Sequence, residues 1–111
     1  MKVFSAAQVR RYQRAAEAHA VARFPEKCRE LGDAEVKRRA ELMVRKTGEY
    51  GIQAESDGFT YLEFMFVLSP DFDESVPWAR EIFTHPRMSG PQKMELLYKR
   101  YRYELTQSPR E

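Results

Sequence analysis

A chain of 111 residues, 42% hydrophobic and 32% charged, fits a single domain with a modest core and little room for a deep substrate cavity. The net charge of +2 hides a sign pattern: residues 1–50 carry a net +5, residues 51–86 a net −6 and residues 87–111 a net +3. One cysteine, Cys28, excludes an internal disulfide.

Ser5 and Gln8 have the S-x-x-Q form of a capping box and open a helix over residues 5–23. Val9, Tyr12, Ala16 and Ala20 form its inward stripe, and Arg10, Arg11 and Arg14 lie outward. Phe24-Pro25 breaks that helix, and Pro25 opens a short one that stops at Leu31-Gly32. Asp33 is the expected N-cap of the next helix, with Val36, Ala40, Met43, Thr47 and Tyr50 inward and Gly51 as its left-handed terminator.

Ser56 or Asp57 is expected to cap a helix over residues 58–68. Phe59, Tyr61, Leu62, Phe64, Met65, Phe66, Val67 and Leu68 leave it almost no polar face, the mark of a buried helix. A buried strand is the alternative for so short an apolar run, but its Met, Leu and Glu63 favour helix. Ser69-Pro70-Asp71 interrupts the chain, and Ser75 caps a short helix through Trp78 to Phe83. Ser89 and Gln92 repeat the capping signature and start a last helix to about Leu105. Its expected inward residues are Met94, Leu97, Tyr98, Tyr101 and Leu105, and the tail 106–111 is expected to fray. The fold expected is all-α: one bundle of five to six helices around the 58–68 helix.

Few residues point to chemistry. His19, His85 and Cys28 sit at no ligand spacing, and the five glycines mark helix ends rather than a phosphate loop. Asp71-Phe72-Asp73-Glu74 begins like a calcium loop, but Val76 stands where glycine is required and Ile82 where the bidentate Glu belongs. Lys27 and Arg29 beside Cys28 would lower a thiol pKa, yet only His19 is available as a base. No catalytic, metal or cofactor site is expected, and the chain reads as a non-enzyme.

Three arginine or lysine clusters (Arg10, Arg11, Arg14; Lys37, Arg38, Arg39; Lys99, Arg100, Arg102) raise the possibility of nucleic acid. Interleaved acids, with pairs such as Glu41–Arg45, make solvated helix faces the better reading. Tyr98-Lys99-Arg100-Tyr101-Arg102-Tyr103 alternates the residue types enriched at protein interfaces. Tyr98, Tyr101, Arg102 and Tyr103 are therefore candidate partner-binding residues, with Phe72 and Trp78 as a second patch. A symmetric homodimer through the last helix is equally compatible with the sequence.

The opening Met-Lys-Val-Phe-Ser lacks the apolar stretch of a secretion signal. The longest apolar run, Phe64 to Leu68, is far short of the ~20 residues of a membrane span. A cytoplasmic protein is expected.

Several marks occur in one order: Phe24-Pro25, Leu31-Gly32, Tyr50-Gly51-Ile52, Phe66-Val67-Leu68, Phe72-Asp73, Pro77-Trp78-Ala79 and Ile82. Over about residues 20–100 this resembles a group of small bacterial proteins encoded beside type VI secretion effector, adaptor and spike genes. The resemblance implies an all-helical co-adaptor or chaperone-like accessory that assists effector loading, with no catalytic residues. An immunity protein that neutralises a toxin and a small nucleic-acid-binding regulator are the alternatives.

Overall fold

Seven helices and no strand make up the described residues, 5–107, of the computed structural model. They are α1 (Ala6–Arg23), α2 (Pro25–Leu31), α3 (Asp33–Glu49), α4 (Glu55–Val67), α5 (Phe72–Ser75), α6 (Pro77–Phe83) and α7 (Gly90–Gln107). The all-α, single-domain architecture read from the sequence is what the structure has. The additional element is α5, a single turn inside the 69–76 break. The tail expected to fray lies, beyond residue 107, outside the described residues. Thr106 still belongs to α7, and its hydroxyl donates to the Tyr103 carbonyl at 2.8 Å.

Local chemistry sets most boundaries. In the Ser5/Gln8 box the Gln8 N–H donates to Ser5 Oγ at 3.2 Å and the Ser5 N–H to Gln8 Oε1 at 2.8 Å. The Ser89/Gln92 box repeats this at 3.2 and 2.9 Å. At the end of α3, Gly51 takes a φ of 73°, with the Gly51 N–H on the Gly48 carbonyl and the Ile52 N–H on the Thr47 carbonyl. That is the Schellman arrangement, and it turns the chain sharply into α4.

Three expected caps differ. Asp33 is already helical, because Gly32 at φ 89° occupies the cap position without a side-chain bond. α4 starts at Glu55, ahead of Ser56 and Asp57, with Ala54 as an unassisted cap and the two acids Glu55 and Asp57 in its positive first turn. Ser75 closes α5 rather than capping α6, whose cap is Val76.

α4 is the hub. Gly58, Tyr61, Leu62, Phe64, Met65 and Phe66 are buried, and its rings reach different neighbours. Phe59 meets Tyr12 of α1 at 5.8 Å, Phe64 meets Tyr101 of α7 at 5.0 Å, and Phe66 stacks on Phe24 before α2 at 5.1 Å. Tyr61 packs against Phe72 and Phe83 at 4.9 and 5.6 Å, binding α5 and α6. Each such ring contributes about 1.5–3 kcal/mol on burial. The molecule measures 43 × 37 × 19 Å, so its thin dimension is about two helix diameters.

α7 departs from expectation in its second half. Met94 and Leu97 are buried and Tyr101 is partly covered, but Tyr98 and Leu105 are 52% and 50% exposed. Leu105 lies beyond Tyr101, where the helix outruns the core, whereas Tyr98, between buried Leu97 and partly buried Tyr101, falls at the edge of the covered face. The expected Glu41–Arg45 pair is replaced: Arg45 reaches Glu49, and Glu41 accepts from Gln13 of α1.

Two glycines give opposite predictions. A Cβ on Gly90 would lie 2.2 Å from the Gly51 carbonyl oxygen, so the start of α7 needs glycine to seat on the α3–α4 turn. Gly90→Ala is expected to cost roughly 1–3 kcal/mol. Helical Gly48 has nothing within 4 Å of its added Cβ, and Gly48→Ala is expected to gain about 0.5–1 kcal/mol. Urea unfolding followed by circular dichroism reads both, and a shared sign would contradict the packing.

Candidate functional site

The stripe of α3 carries two cations: Arg39, which sequence reading placed on a solvated face, and Lys46, which it did not single out. Arg39 and Lys46, seven residues apart, fall between Val36, Ala40, Met43, Thr47 and Tyr50 on one face, and both are buried. That spacing was the available signal, a cation twice at a core position. Lys46 Nζ lies 2.9 Å from Asp73 Oδ2 and 2.5 Å from Glu74 Oε2. Tyr50 Oη also donates to Asp73 Oδ2. Burial works against the charge on Lys46, but the hydrogen bonds to Glu74 and Asp73 outweigh it and raise its pKa. Burial also raises Tyr50, helped by its bond to Asp73. The acidic run 71–74 is thus divided: Asp73 turns into the core, while Asp71 accepts from the Ser69 and Ser75 hydroxyls at 3.0 and 3.3 Å.

Asp73 Oδ1 and Tyr61 Oη are both buried without a hydrogen-bond partner among the described residues. The Tyr61 hydroxyl is pushed far up by burial and by the neighbouring Asp73 charge. The cluster pins α5 to α3.

Arg39 links α3 to α4. It donates from Nε to Glu35 at 2.9 Å and from Nη1 to the Met65 carbonyl at 3.3 Å, and its guanidinium lies 5.0 Å over the Phe66 ring. The hydrogen bonds from Arg38 and Arg39 lower the Glu35 carboxyl from 4.5 to about 2.

His19 is held by α4 and not by Cys28. His19 Nε2 is 2.6 Å from Glu63 Oε2, its ring stacks on Phe59 at 4.8 Å, and Arg23 lies 3.4 Å from the same carboxylate. Cys28 is buried, and burial pushes its thiol up despite the pull of Arg39. The neutral thiol is favoured there, the reverse of the effect expected from Lys27 and Arg29.

The six expected partner-binding residues separate into three groups. Tyr98 and Arg102, one turn apart on α7, lie together with the Arg102 guanidinium 5.8 Å over the Tyr98 ring, while Tyr103, 56% exposed, projects from a different side of the helix. Tyr101 is partly buried, edge-on to Phe64. Phe72 is withdrawn as a surface residue. Its side chain is fully buried among Tyr61, Phe64 and Phe83, because the apolar hub needs a ring where the loop crosses it. Trp78 is half-buried against the same core.

Of the nine clustered cations, Arg38 and Arg39 are tied to Glu35, Lys99 to Glu95 and Arg100 to Glu104. Arg10, Arg11 and Arg14 are exposed on α1. Arg11 lines a cleft of about 540 Å³ between α1, the end of α3 and the α3–α4 connector. Tyr12, in the same cleft, is raised to about 12 by burial and by Glu55 and Asp57.

No protein-family model, no curated protein and no solved structure matches this chain. Among the described residues no helix is long and apolar enough to cross a membrane.

Two predictions follow the charges. Lys46→Met leaves the buried Asp73 carboxylate uncompensated and is expected to cost about 3–5 kcal/mol. Lys46→Met with Asp73→Leu should regain more than half of that, and a double variant no better than the single would contradict the pairing. Because the Glu35 carboxyl is depressed in the fold, its contribution is present above pH 4.5 and lost as the pH falls toward 2. Glu35→Gln should flatten the stability profile over that window, and an unchanged acid limb would show that the two arginines do not hold the carboxylate.

Proposed function

We propose that this chain is a non-enzymatic accessory that binds a protein partner through the outer half of α7. In the type VI secretion setting that its residue order resembles, it holds an effector or the effector's adaptor ready for loading. The observation that carries the reading is the exposure of large aromatic and apolar side chains on α7. Tyr98, Tyr103 and Leu105 are each half or more exposed on a helix that stays regular to residue 107.

The chemistry of this face fits docking. Tyrosine offers a large, stiff surface with few torsions to immobilise, and arginine adds charge and a planar face. Arg102 over Tyr98 holds that surface in a defined shape before any partner arrives. Binding then needs no conformational change of the bundle, because the inner half of the same helix is fixed by Met94, Leu97 and Tyr101. Lys99 and Arg100 are paired with Glu95 and Glu104, which lowers the charge available to phosphates and disfavours the nucleic-acid reading.

Affinity purification of the tagged chain from its native cells tests this. The expected result is one stoichiometric adaptor or effector, with affinity falling at least tenfold in Arg102→Ala and in Tyr103→Ala. Recovery of the chain alone, or with nuclease-sensitive nucleic acid, would contradict it.

A further inference from the structure

The cleft between α1, the end of α3 and the α3–α4 connector is separate from the exposed face of α7. Its volume of about 540 Å³ lies in the range of ligand sites, roughly 300–1,000 Å³. Val9, Val44 and Ile52 give it an apolar lining.

Gly48 also lines this cleft, and nothing within the fold requires a glycine there. It sits inside α3, where glycine weakens a helix. Its φ is not positive, and no atom lies within 4 Å of an added Cβ. Neither a turn nor a close packing contact therefore calls for it. What the missing side chain does is leave room in the cleft, and glycine inside an element is used where a ligand approaches the backbone closely.

Two opposite charges border that room. Arg11 stands on α1 and Glu55 in the first turn of α4, and both are exposed. Neither has an ion-pair partner among the described residues, and they do not pair with each other. Gln53 adds a donor and an acceptor. A fatty-acid carboxylate or a phosphate would satisfy Arg11 and be repelled by Glu55, and a purely cationic ligand would meet the reverse. A plain hydrocarbon would cover both charges without pairing either. A molecule with one positive end, one negative end and an apolar body suits all of these groups.

We infer that the cleft binds a short apolar peptide with both termini free, its carboxylate on Arg11, its ammonium on Glu55 and its side chains against Val9, Val44 and Ile52. Gly48 gives the peptide room against α3, and Gln53 is available to its amides. The site does not depend on the reading of α7.

Calorimetric titration of the intact chain tests this, with leucine, its di-, tri- and tetrapeptides, and the N-acetyl and C-terminal amide forms of the tightest binder. One length should bind at a single site, and either cap should lower affinity roughly tenfold or more. Glu55→Gln should weaken the free peptide by the same factor and leave the affinity of the N-acetyl form within about twofold. Arg11→Gln should behave likewise toward the amide. Gly48→Leu, which fills the cleft from a helical position, should abolish binding without lowering the melting temperature. If that variant fails to fold, the two charge variants, both at exposed positions, still decide. Binding by no member of the series, capped forms that bind like the free peptide, charge variants of full affinity, or a folded Gly48→Leu that still binds would each overturn the proposal.

Discussion

A helix with apolar residues on most of its circumference has to be largely enclosed, and α4, open to solvent mainly along Ser56, Thr60, Glu63 and Val67, imposes that condition on the rest of the chain. Phe59, Tyr61, Phe64 and Phe66 project in different directions and each meets a ring from another element. The surrounding helices need to be apolar on one side only, which is why the aromatic residues crowd into 51–86 while the flanking segments are polar and basic. The sign reversal along the sequence is the one-dimensional trace of this enclosure. It also brings acids of the central block against cations of the frame, at Lys46–Asp73 and at Arg23–Glu63.

Those cross-element charges fix geometry more than they add stability. A buried ion pair roughly balances its desolvation cost, but a single buried carboxylate left alone is expensive. Asp73 can therefore occupy the core only where Lys46 and Tyr50 meet it, which sets the position of the α5 turn on α3. Arg39 acts in the same way on α4 by reaching the Met65 carbonyl at the helix's far end. With α3, α4 and α5 held, α6 and the first half of α7 have a fixed surface to cover, and the second half of α7 projects beyond it.

Much of this was legible in the sequence. Serine–glutamine boxes, the Phe24-Pro25 break and Gly51 located helix ends because each supplies a local hydrogen bond or backbone conformation that acts without tertiary help. The stripes of α1 and α3 followed from periodicity, and the burial of α4 from its near lack of a polar face. What could not be read depends on where the core stops. Leu105 keeps the core spacing, but periodicity records a face and not the length over which a partner helix accompanies it, and Tyr98 shows that it does not record the width of the covered face. Phe72 looked like part of a loop patch because the loop's approach to Tyr61 and Phe64 is a tertiary event. Arg39 looked solvated and Lys46 went unnoticed because a cation's burial depends on a carbonyl across the bundle or on an acid twenty-seven residues away. The α1–α3 cleft had no local signature, since it is made by three segments.

The most direct measurement is amide hydrogen exchange, residue by residue, on the intact chain. An enclosed α4 with a projecting α7 predicts that α4 amides exchange only through global unfolding. Protection along α7 should then fall after Tyr101, with residues 103–106 opening locally by fraying. Uniform protection of α7 through residue 106 would show that its outer half is already covered, and exchange of α4 through local opening would remove the hub on which the account rests.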